Sequence, residues 1–413
     1  MTLIKKHPYM KKLIAMALLT GSLAVYAETP DSTAVDSTKT FIFTDVISLP
    51  TTSVKDQNKS GTCWCFAGTS FFEDEIRRIK GDSLDLSEMF TVRKCYEDKA
   101  DRYVRLYGSG VLSPGGSLLD VPYVWSNYGA VPEEVYPGNN YGEEGHVHGE
   151  LDAAIKAYVQ AIVSKPNRRI STAWKEGLNG ILDAYFGAVP ETFEYNGKTY
   201  TPQSYAASLA LNMDDYIPVT SFTHHPYYEK FAVEVPDNWL WGQYYNVPLN
   251  ELRAIADNAL ENGYTFVWAS DVSEGGFKWN KGVALMPKGK TEGDMNDTEL
   301  ARWVKLSDKE RQNDKYDFSG PVEEIEVTQE SRQEMFDRQE TTDDHGMEIV
   351  GMATDQMGNK YYKVKNSWNT NQVYDGFFYV SMPFFDAKTV DILVHKDAIP
   401  KDIAKKMGIK QSK

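Results

Sequence analysis

The chain has 413 residues, of which 41% are apolar and 13% aromatic, so it is long enough to bury a substantial core. Its formal net charge is −15, and no basic run offsets this excess of acids. Because so acidic a protein repels phosphate backbones, the composition argues against nucleic-acid binding.

The first 27 residues have the pattern of a secretory signal peptide. Four lysines precede an apolar run of about 15 residues, and small residues stand at Val25 and Ala27. This run is shorter than the roughly 20 residues that span a bilayer. We therefore expect cleavage after Ala27 rather than a membrane anchor, and an exported protein, periplasmic or secreted, with no membrane attachment. Cleavage would take the formal charge from −15 to −19.

The rest of the chain is interpreted as a disordered leader over residues 28–40 and one domain over residues 41–413. In that domain CWCFAGTSFFEDEIRRIKGDS predicts a helix that stops at Gly81, and LSEMF opens a second helix. Residues from about 141 to 215 are mainly helical in pattern, and a charged stretch fills about 285–335; both are interpreted as insertions. Strand-like runs begin near residue 217, so helices precede strands and predict an α+β fold.

Two of the three cysteines flank a tryptophan in the segment DQNKSGTCWCFAGTS. Cys63 falls in the first turn of the first predicted helix, where free backbone N–H groups favour a thiolate. Cys65 lies about 200° around the helix axis, so only one of the two faces a cleft. Cys63 is the candidate nucleophile and Cys65 a core residue. A bridge between Cys65 and Cys95 stays open, since sequence gives no geometry.

The candidate general base is His345, at the start of the strand-like run HGMEIVGMAT. The turn DQMGN and the second run KYYKVKNSW predict a hairpin that brings Asn366 within a few residues of His345. Asn366 and Trp368 are two residues apart and project from the same face. We expect Asn366 to orient the imidazole and Trp368 to shield their hydrogen bond from water.

Gln57, six residues before Cys63, is the candidate oxyanion donor. Its side-chain NH2 and the backbone N–H of Cys63 can point at the same position. A nucleophile, a base, an orienting amide and an oxyanion donor together predict thiol-dependent acyl transfer.

The motifs QNKSGTCW around Cys63, HG at His345 and NSW from Asn366 resemble the papain-like cysteine peptidases. Ser60 stands where most members have a further cysteine. That difference, and the 282 residues from Cys63 to His345, resemble the bleomycin hydrolase and aminopeptidase C branch. The similarity runs from about residue 41 to residue 395.

The resemblance implies an α+β, papain-like fold of two lobes. One is helical, with its central helix starting at Cys63, and the other is an antiparallel, β-barrel-like lobe. It implies supporting roles for Trp64 and Trp368, and a substrate cleft lined by Gly115 and Gly116. We expect no metal and no cofactor.

The resemblance further implies a homo-hexamer that removes N-terminal residues from peptide substrates. In this branch the C-terminus of the chain fills part of the cleft and so produces aminopeptidase action. The tail here, AIPKDIAKKMGIKQSK, is basic and lacks the usual apolar ending. An endopeptidase or a dipeptidyl peptidase of the same fold therefore stays an alternative, as does a non-catalytic peptide-binding homologue. The complete set of site residues argues against the last.

Two further histidine motifs give weaker signals. The HVHGE segment at residues 146–150 has no helical spacing, and we interpret it as a solvated loop rather than a metal site. His224 and His225 stand beside a proline and two tyrosines, which predicts a turn with aromatic packing.

Overall fold

The computed structural model describes residues 40–165, 168–289 and 295–412. The predicted signal peptide and nearly all of the predicted leader lie outside the described residues. The chain from Ser37 onward forms one compact unit. Within the described ranges, every helix is too short or too polar to cross a bilayer.

The described residues form twelve α-helices, with short 3-10 turns between some of them. They are α1 (Cys63–Lys80), α2 (Glu88–Arg105), α3 (Asp120–Tyr128), α4 (Gly149–Val163), α5 (Ala173–Phe186), α6 (Pro202–Ser208), α7 (Leu249–Glu261), α8 (Asp297–Trp303), α9 (Asp308–Lys315), α10 (Gln329–Asp337), α11 (Met382–Lys388) and α12 (Lys401–Lys406).

Thirteen strands are found over the same ranges. They are β1 (Thr44–Ser48), β2 (Phe193–Tyr195), β3 (Lys198–Tyr200), β4 (Tyr216–Thr220), β5 (Lys230–Ala232), β6 (Gln243–Asn246), β7 (Phe266–Ser270), β8 (Phe277–Lys278), β9 (Val283–Ala284), β10 (His345–Thr354), β11 (Lys360–Lys365), β12 (Phe377–Ser381) and β13 (Thr389–His395).

The helical lobe is built around α1. Its apolar side chains Phe71, Phe72 and Ile76 are fully buried, in one cluster with side chains of α2, α3, α4 and α5. Gly81 adopts a left-handed conformation (φ +77°) and donates its N–H to the carbonyl of Arg77, which ends the helix. The predicted helix and its predicted stop are both confirmed.

The second lobe is a sheet of eleven strands. Its order is β5-β6-β4-β13-β7-β10-β11-β12-β9-β8, and β1 pairs with β10 beside this path. Most pairs are antiparallel, but β4–β6 and β9–β12 are parallel. Over the described residues the sheet is open and does not close into a barrel. Its two end strands, β5 and β8, are only three and two residues long.

The helical lobe meets the sheet where the N-terminal end of α1 crosses β10. Gly346 permits the close approach, because a Cβ added there would lie 2.9 Å from the Cα of Trp64. On the other side of β10, Glu348 pairs with Lys365 of β11 before the register shifts between Ile349 and Gly351. The predicted hairpin is thus present, and its open end faces the start of α1.

Candidate active site

The first residue of α1 places a sulfur at the junction of the two lobes. The Sγ of Cys63 accepts a hydrogen bond from the backbone N–H of Gly346 at 3.4 Å. Cys63 is only partly buried, whereas Cys65 and Cys95 are buried. Of the three thiols, Cys63 is therefore the one that can meet a substrate.

A fixed amide orients the imidazole of His345. Its Nε2 lies 2.7 Å from the Oδ1 of Asn366, and the same oxygen accepts the backbone N–H of Ser367 at 2.8 Å. A backbone N–H can only donate, so the atom facing it is the amide oxygen, and Nε2 must be the donating nitrogen of the ring. The other nitrogen, Nδ1, is left free to accept a proton.

An indole covers this hydrogen bond. The rings of His345 and Trp368 have centroids 4.6 Å apart with a tilt of 34°, and Trp279 packs edge-on against Trp368 at 5.4 Å. His345 is only 4% exposed. Trp368 is thus placed to exclude water, as the sequence predicted.

Cys63 and His345 line the same cavity. Within the described residues the sulfur makes no hydrogen bond to the imidazole; it is bonded instead to the amide that follows it, that of Gly346. The sulfur of Cys63 therefore contacts the backbone of the residue that follows His345, across the junction of the two lobes. In resting enzymes such catalytic hydrogen bonds are commonly long, and they tighten when substrate binds.

Burial sets the charge state of this pair. It raises the pKa of Cys63 to about 12, against the opposing effect of the Gly346 N–H, and lowers the pKa of His345 to about 4, against the Asn366 hydrogen bond. Burial thus favours the neutral form of each group, whereas the Gly346 N–H favours the thiolate and the Asn366 hydrogen bond favours the imidazolium. Desolvation opposes the thiolate that the position of Cys63 at a helix N-terminus favours.

Gln57 is held by the strand end that carries Asn366. Its Oε1 accepts the hydroxyl of Ser367 at 2.7 Å, and its backbone N–H donates to the carbonyl of Ser367 at 2.8 Å. The side-chain NH2 is left over as the donor for an oxyanion. Ser367 was not singled out from the sequence, although it is the middle residue of the NSW motif.

Removing this donor has a measurable cost. Gln57→Ala is expected to lower kcat by about 10²-fold, the usual effect of losing one oxyanion donor. Ser367→Ala leaves the amide in place but unheld, so we expect a smaller loss in kcat with KM nearly unchanged. Steady-state kinetics of both variants decide this; equal kcat for the parent and Gln57→Ala would contradict the assignment.

The two glycines predicted to line the cleft have different positions. Gly116 lines the cavity with Cys63, and a Cβ on it would lie 2.8 Å from the ring of Trp64. The carbonyl of Gly115 is already taken by the ammonium of Lys99. Trp64 is anchored by its Nε1–H, which donates to the carbonyl of Pro114 at 2.9 Å. Gly116 is therefore the better placed of the two to meet a peptide.

The remaining cysteines belong to the core. Cys65 and Cys95 do not form a disulfide. Their exposed fractions are 0% and 1%. The thiol of Cys65 donates to the carbonyl of Glu88 at 3.3 Å. The prediction that Cys65 fills core is confirmed, and the bridge left open from sequence is absent.

The C-terminal residues of the described chain pack on the outside of the sheet lobe. Ile403 and Met407 are buried in the sheet cluster, Gln411 donates to the carbonyl of Ile399 at 2.7 Å, and the N–H of Ser412 donates to a carboxylate oxygen just after β13 at 2.7 Å. None of these residues lines the cavity that holds Cys63.

The HVHGE segment differs from its prediction. His148 is fully buried, with its ring against Phe186 and Tyr141, and neither ring nitrogen has a hydrogen-bond partner. The interpretation as a solvated loop is therefore wrong for His148. Burial lowers its pKa to about 4.

This histidine gives a pH-dependent stability. Between pH 6.5 and 4 the unfolded chain takes up a proton at His148 that the folded chain refuses, so this contribution to stability falls as pH falls. Relative to His148→Phe, the parent should lose about 2 kcal/mol of unfolding free energy between pH 7.5 and pH 5. Urea denaturation of both proteins measures it, since other groups cancel in the difference. An unchanged difference at the two pH values would refute the assignment.

One group of side chains in the described ranges has the arrangement of metal ligands. His224, His225 and Glu234 offer ligand atoms within 4.8 Å of one another. Both imidazoles already hydrogen-bond the same carboxylate, at 3.1 and 3.2 Å, and Phe231 stacks on His225 at 4.2 Å. Hydrogen bonding and aromatic packing account for this cluster.

A helix that begins at a cysteine, packed on a strand that begins at an asparagine-bonded histidine, is the arrangement of the papain-like cysteine peptidases. The comparisons with known proteins agree. A profile described as the Peptidase C1-like family matches residues 308–412. That range contains His345 and Asn366 but not Cys63, so the place of the sulfur rests on the geometry above.

Similar proteins extend the match over the whole chain. Aminopeptidase C of Lactobacillus delbrueckii subsp. lactis is 23% identical, over 97% of this chain and 91% of its own. Aminopeptidase G of the same organism is 24% identical, over 86% of this chain and 83% of its own. The crystal structure of PepW from Lactobacillus rhamnosis HN001 has a TM-score of 0.66 at 19% identity, covering 88% of this chain and 84% of that one. These matches support a place for the chain among the papain-like peptidases, in the aminopeptidase C branch, and the structural match shows that it shares their fold.

Proposed function

We propose that this protein is a cysteine-type aminopeptidase with Cys63 as its nucleophile. The observation that carries the proposal is the shared cavity of Cys63 and His345, with His345 held through Nε2 by Asn366 at 2.7 Å. The names of the similar proteins, aminopeptidases C and G, support the class of substrate.

The reaction begins with one proton transfer. The thiol proton of Cys63 moves to the Nδ1 of His345, which keeps the net charge of the pair at zero in a buried site. The sulfur then bonds to the peptide carbonyl carbon, and the oxyanion accepts hydrogen bonds from the Gln57 side chain and the Cys63 backbone N–H. That N–H makes no other bond within the described residues, as expected at the start of a helix.

The second half of the reaction reverses the proton path. His345 gives its proton to the leaving amine, which departs as the C–N bond breaks and leaves a thioester on Cys63. A water then loses a proton to Nδ1, attacks the thioester and releases the acid, and the proton returns to the sulfur. Asn366 holds the ring in one tautomer throughout.

Matched fluorogenic peptides test the proposal. One set has a free N-terminal amine and the other carries the same sequences acetylated. An aminopeptidase cleaves only the free-amine set and releases single residues, a dipeptidyl peptidase releases dipeptides, and an endopeptidase cleaves the acetylated set as well. Labelling with an epoxide-type thiol inhibitor separates out a non-catalytic homologue, in which Cys63 stays unmodified.

Two further properties are proposed from the sequence. The homo-hexamer implied by the aminopeptidase C resemblance predicts a mass of six chains by light scattering. The N-terminal pattern predicts export, with the mature protein beginning after Ala27; N-terminal sequencing of protein recovered outside the cytoplasm tests this.

A further inference from the structure

We infer that the cavity beside Cys63 holds a subsite for a positively charged group of the substrate, formed by Asp237, Asp343 and Asp391. The inference rests on the proposed function and names the class of substrate that this site takes: peptides that bring a cation next to the scissile bond.

Three separate segments bring these carboxylates together. Asp343 lies two residues before His345, Asp391 is in β13, and Asp237 lies in the turn before β6. All three line the same cavity as Cys63, whose volume is about 10 Å³. That is room for about one group of the size of a water molecule, such as an ammonium.

The carboxylates have no partners in the protein. Asp391 is only 3% exposed, and its Oδ1 is a buried oxygen without a hydrogen bond. No hydrogen bond or ion pair joins Asp237 or Asp343 to another described residue. Asp344 at the same cavity differs, since it accepts bonds from Ser273 and Thr342. Buried carboxylates are normally paired, so Asp391 lacks a partner that its partly exposed neighbours Asp237 and Asp343 do not supply.

Two cations act on the cluster without forming an ion pair with it. Lys99 donates to the backbone carbonyls of Ser113 and Gly115. Arg332 donates through Nε and Nη1 to the carbonyls of Ser221 and Asp386, and its Nη2 has no hydrogen-bond partner. Burial raises the pKa of Asp237 and of Asp391, and the charges of Lys99 and Arg332 respectively oppose this rise from a distance. Neither cation satisfies the carboxylate oxygens, so the cavity keeps an excess of acids.

The three carboxylates of the subsite disfavour each other's ionised forms. Burial, and then the neighbouring Asp237, raises the pKa of Asp343 to about 8, and burial followed by Asp343 raises the pKa of Asp391. A bound cation favours the ionised carboxylates and relieves this repulsion. Asp343 and Asp237 also raise the pKa of Cys63, so a cation there makes the thiolate easier to form.

The subsite offers a way to select substrate termini. The C-terminal residues pack on the sheet lobe rather than at this cavity, so they do not close the cleft in the described chain. A cation has two sources in a peptide: the α-ammonium of its N-terminus, or a lysine or arginine side chain. Both present the same chemistry to the three carboxylates, and the experiment separates them.

Two matched substrate pairs test the inference. The first pair differs only by acetylation of the N-terminal amine, and the second is acetylated throughout and differs by lysine against norleucine. The parent should prefer the cationic member of at least one pair by about 100-fold in kcat/KM. Preference in the first pair identifies the α-ammonium, and preference in the second identifies a side chain.

Substitutions in the three-carboxylate cluster test whether it causes the preference for cationic substrates. Asp391→Asn should reduce it by at least about tenfold, and Asp237→Asn, in a partly exposed turn, serves if the buried substitution does not fold. Asp82→Asn is the matched control: it removes the same charge beyond the far end of α1, where Asp82 is exposed, and should leave the ratio unchanged. Ratios near one in the parent, or ratios that neither cluster variant changes, would overturn the inference while leaving the peptidase intact.

The rate of Cys63 alkylation tests the cation subsite separately from the peptidase activity, because it needs no substrate turnover. Methylammonium should speed the alkylation of Cys63 by iodoacetamide at pH 7 in the parent and not in Asp391→Asn. If the parent cleaves none of the peptides, the proposed function fails and this measurement alone judges the subsite; no acceleration would then reject it.

Discussion

Replacing Cys63 by alanine is expected to lower kcat/KM by at least about 10⁴-fold, the scale seen when a covalent nucleophile is removed. Cys65→Ala, two residues along the same helix, is expected to keep most of the activity. The contrast follows from position: Cys63 lies in the cavity with His345, whereas Cys65 is 0% exposed and bonded to the carbonyl of Glu88.

Initial rates on a free-amine fluorogenic peptide measure this effect, and a urea melt checks folding. Cys65→Ala should cost about 1 kcal/mol of unfolding free energy, because it removes one buried sulfur, while Cys63→Ala should be nearly neutral. If Cys65→Ala abolished turnover and Cys63→Ala did not, the nucleophile would be misassigned.

The second large effect is expected at His345. His345→Gln should lower kcat by about 10³-fold or more, because glutamine can still bond Asn366 but cannot take the thiol proton or return it to the leaving amine. KM should change little, since the imidazole moves protons and binds no part of the substrate in the resting complex. Steady-state kinetics on the same peptide give both constants.

His225→Gln is the matched control. His225 is partly exposed and hydrogen-bonded to Glu234 at 3.2 Å, in the cluster that hydrogen bonding and aromatic packing explain. Its loss should leave kcat unchanged. A His345→Gln enzyme within tenfold of the parent would show that another group transfers the proton.

Local patterns were enough to predict which elements carry the candidate site residues. The apolar spacing after Cys63 predicts α1, and Gly81 predicts its end, because both signals lie within one helix. The hairpin that joins His345 to Asn366 follows from a turn between two strand-like runs, so register alone brings the two residues together. The α+β order also follows from these local periods.

Helix α7 was missed although its apolar spacing at Leu249, Leu252 and Ile255 is a local signal between strand-like runs. The open ends of the sheet depend on distant packing, so the sequence could not show them. Nor could it show the burial of His148, because HVHGE is polar in sequence and becomes buried only when α5 covers it.

The acidic subsite and the effect of burial on Cys63 and His345 also depend on distant packing, so the sequence alone did not show them. Asp237, Asp343 and Asp391 are far apart in the chain, and three strand and loop ends must fold before they share one cavity. Likewise, the position of Cys63 at a helix start favours a thiolate, while its burial opposes one by more. The sequence shows the position at the helix start but not the burial of the sulfur.

The alkylation rate of Cys63 as a function of pH tests the central pairing most directly. In the parent, the thiol proton can pass to His345, so Cys63 should react with iodoacetamide across pH 6 to 8. In His345→Gln the proton has no acceptor and burial keeps the pKa of Cys63 high, so the rate should fall at least about tenfold over that range and recover only in alkali. Superimposable profiles for the two proteins would contradict the account.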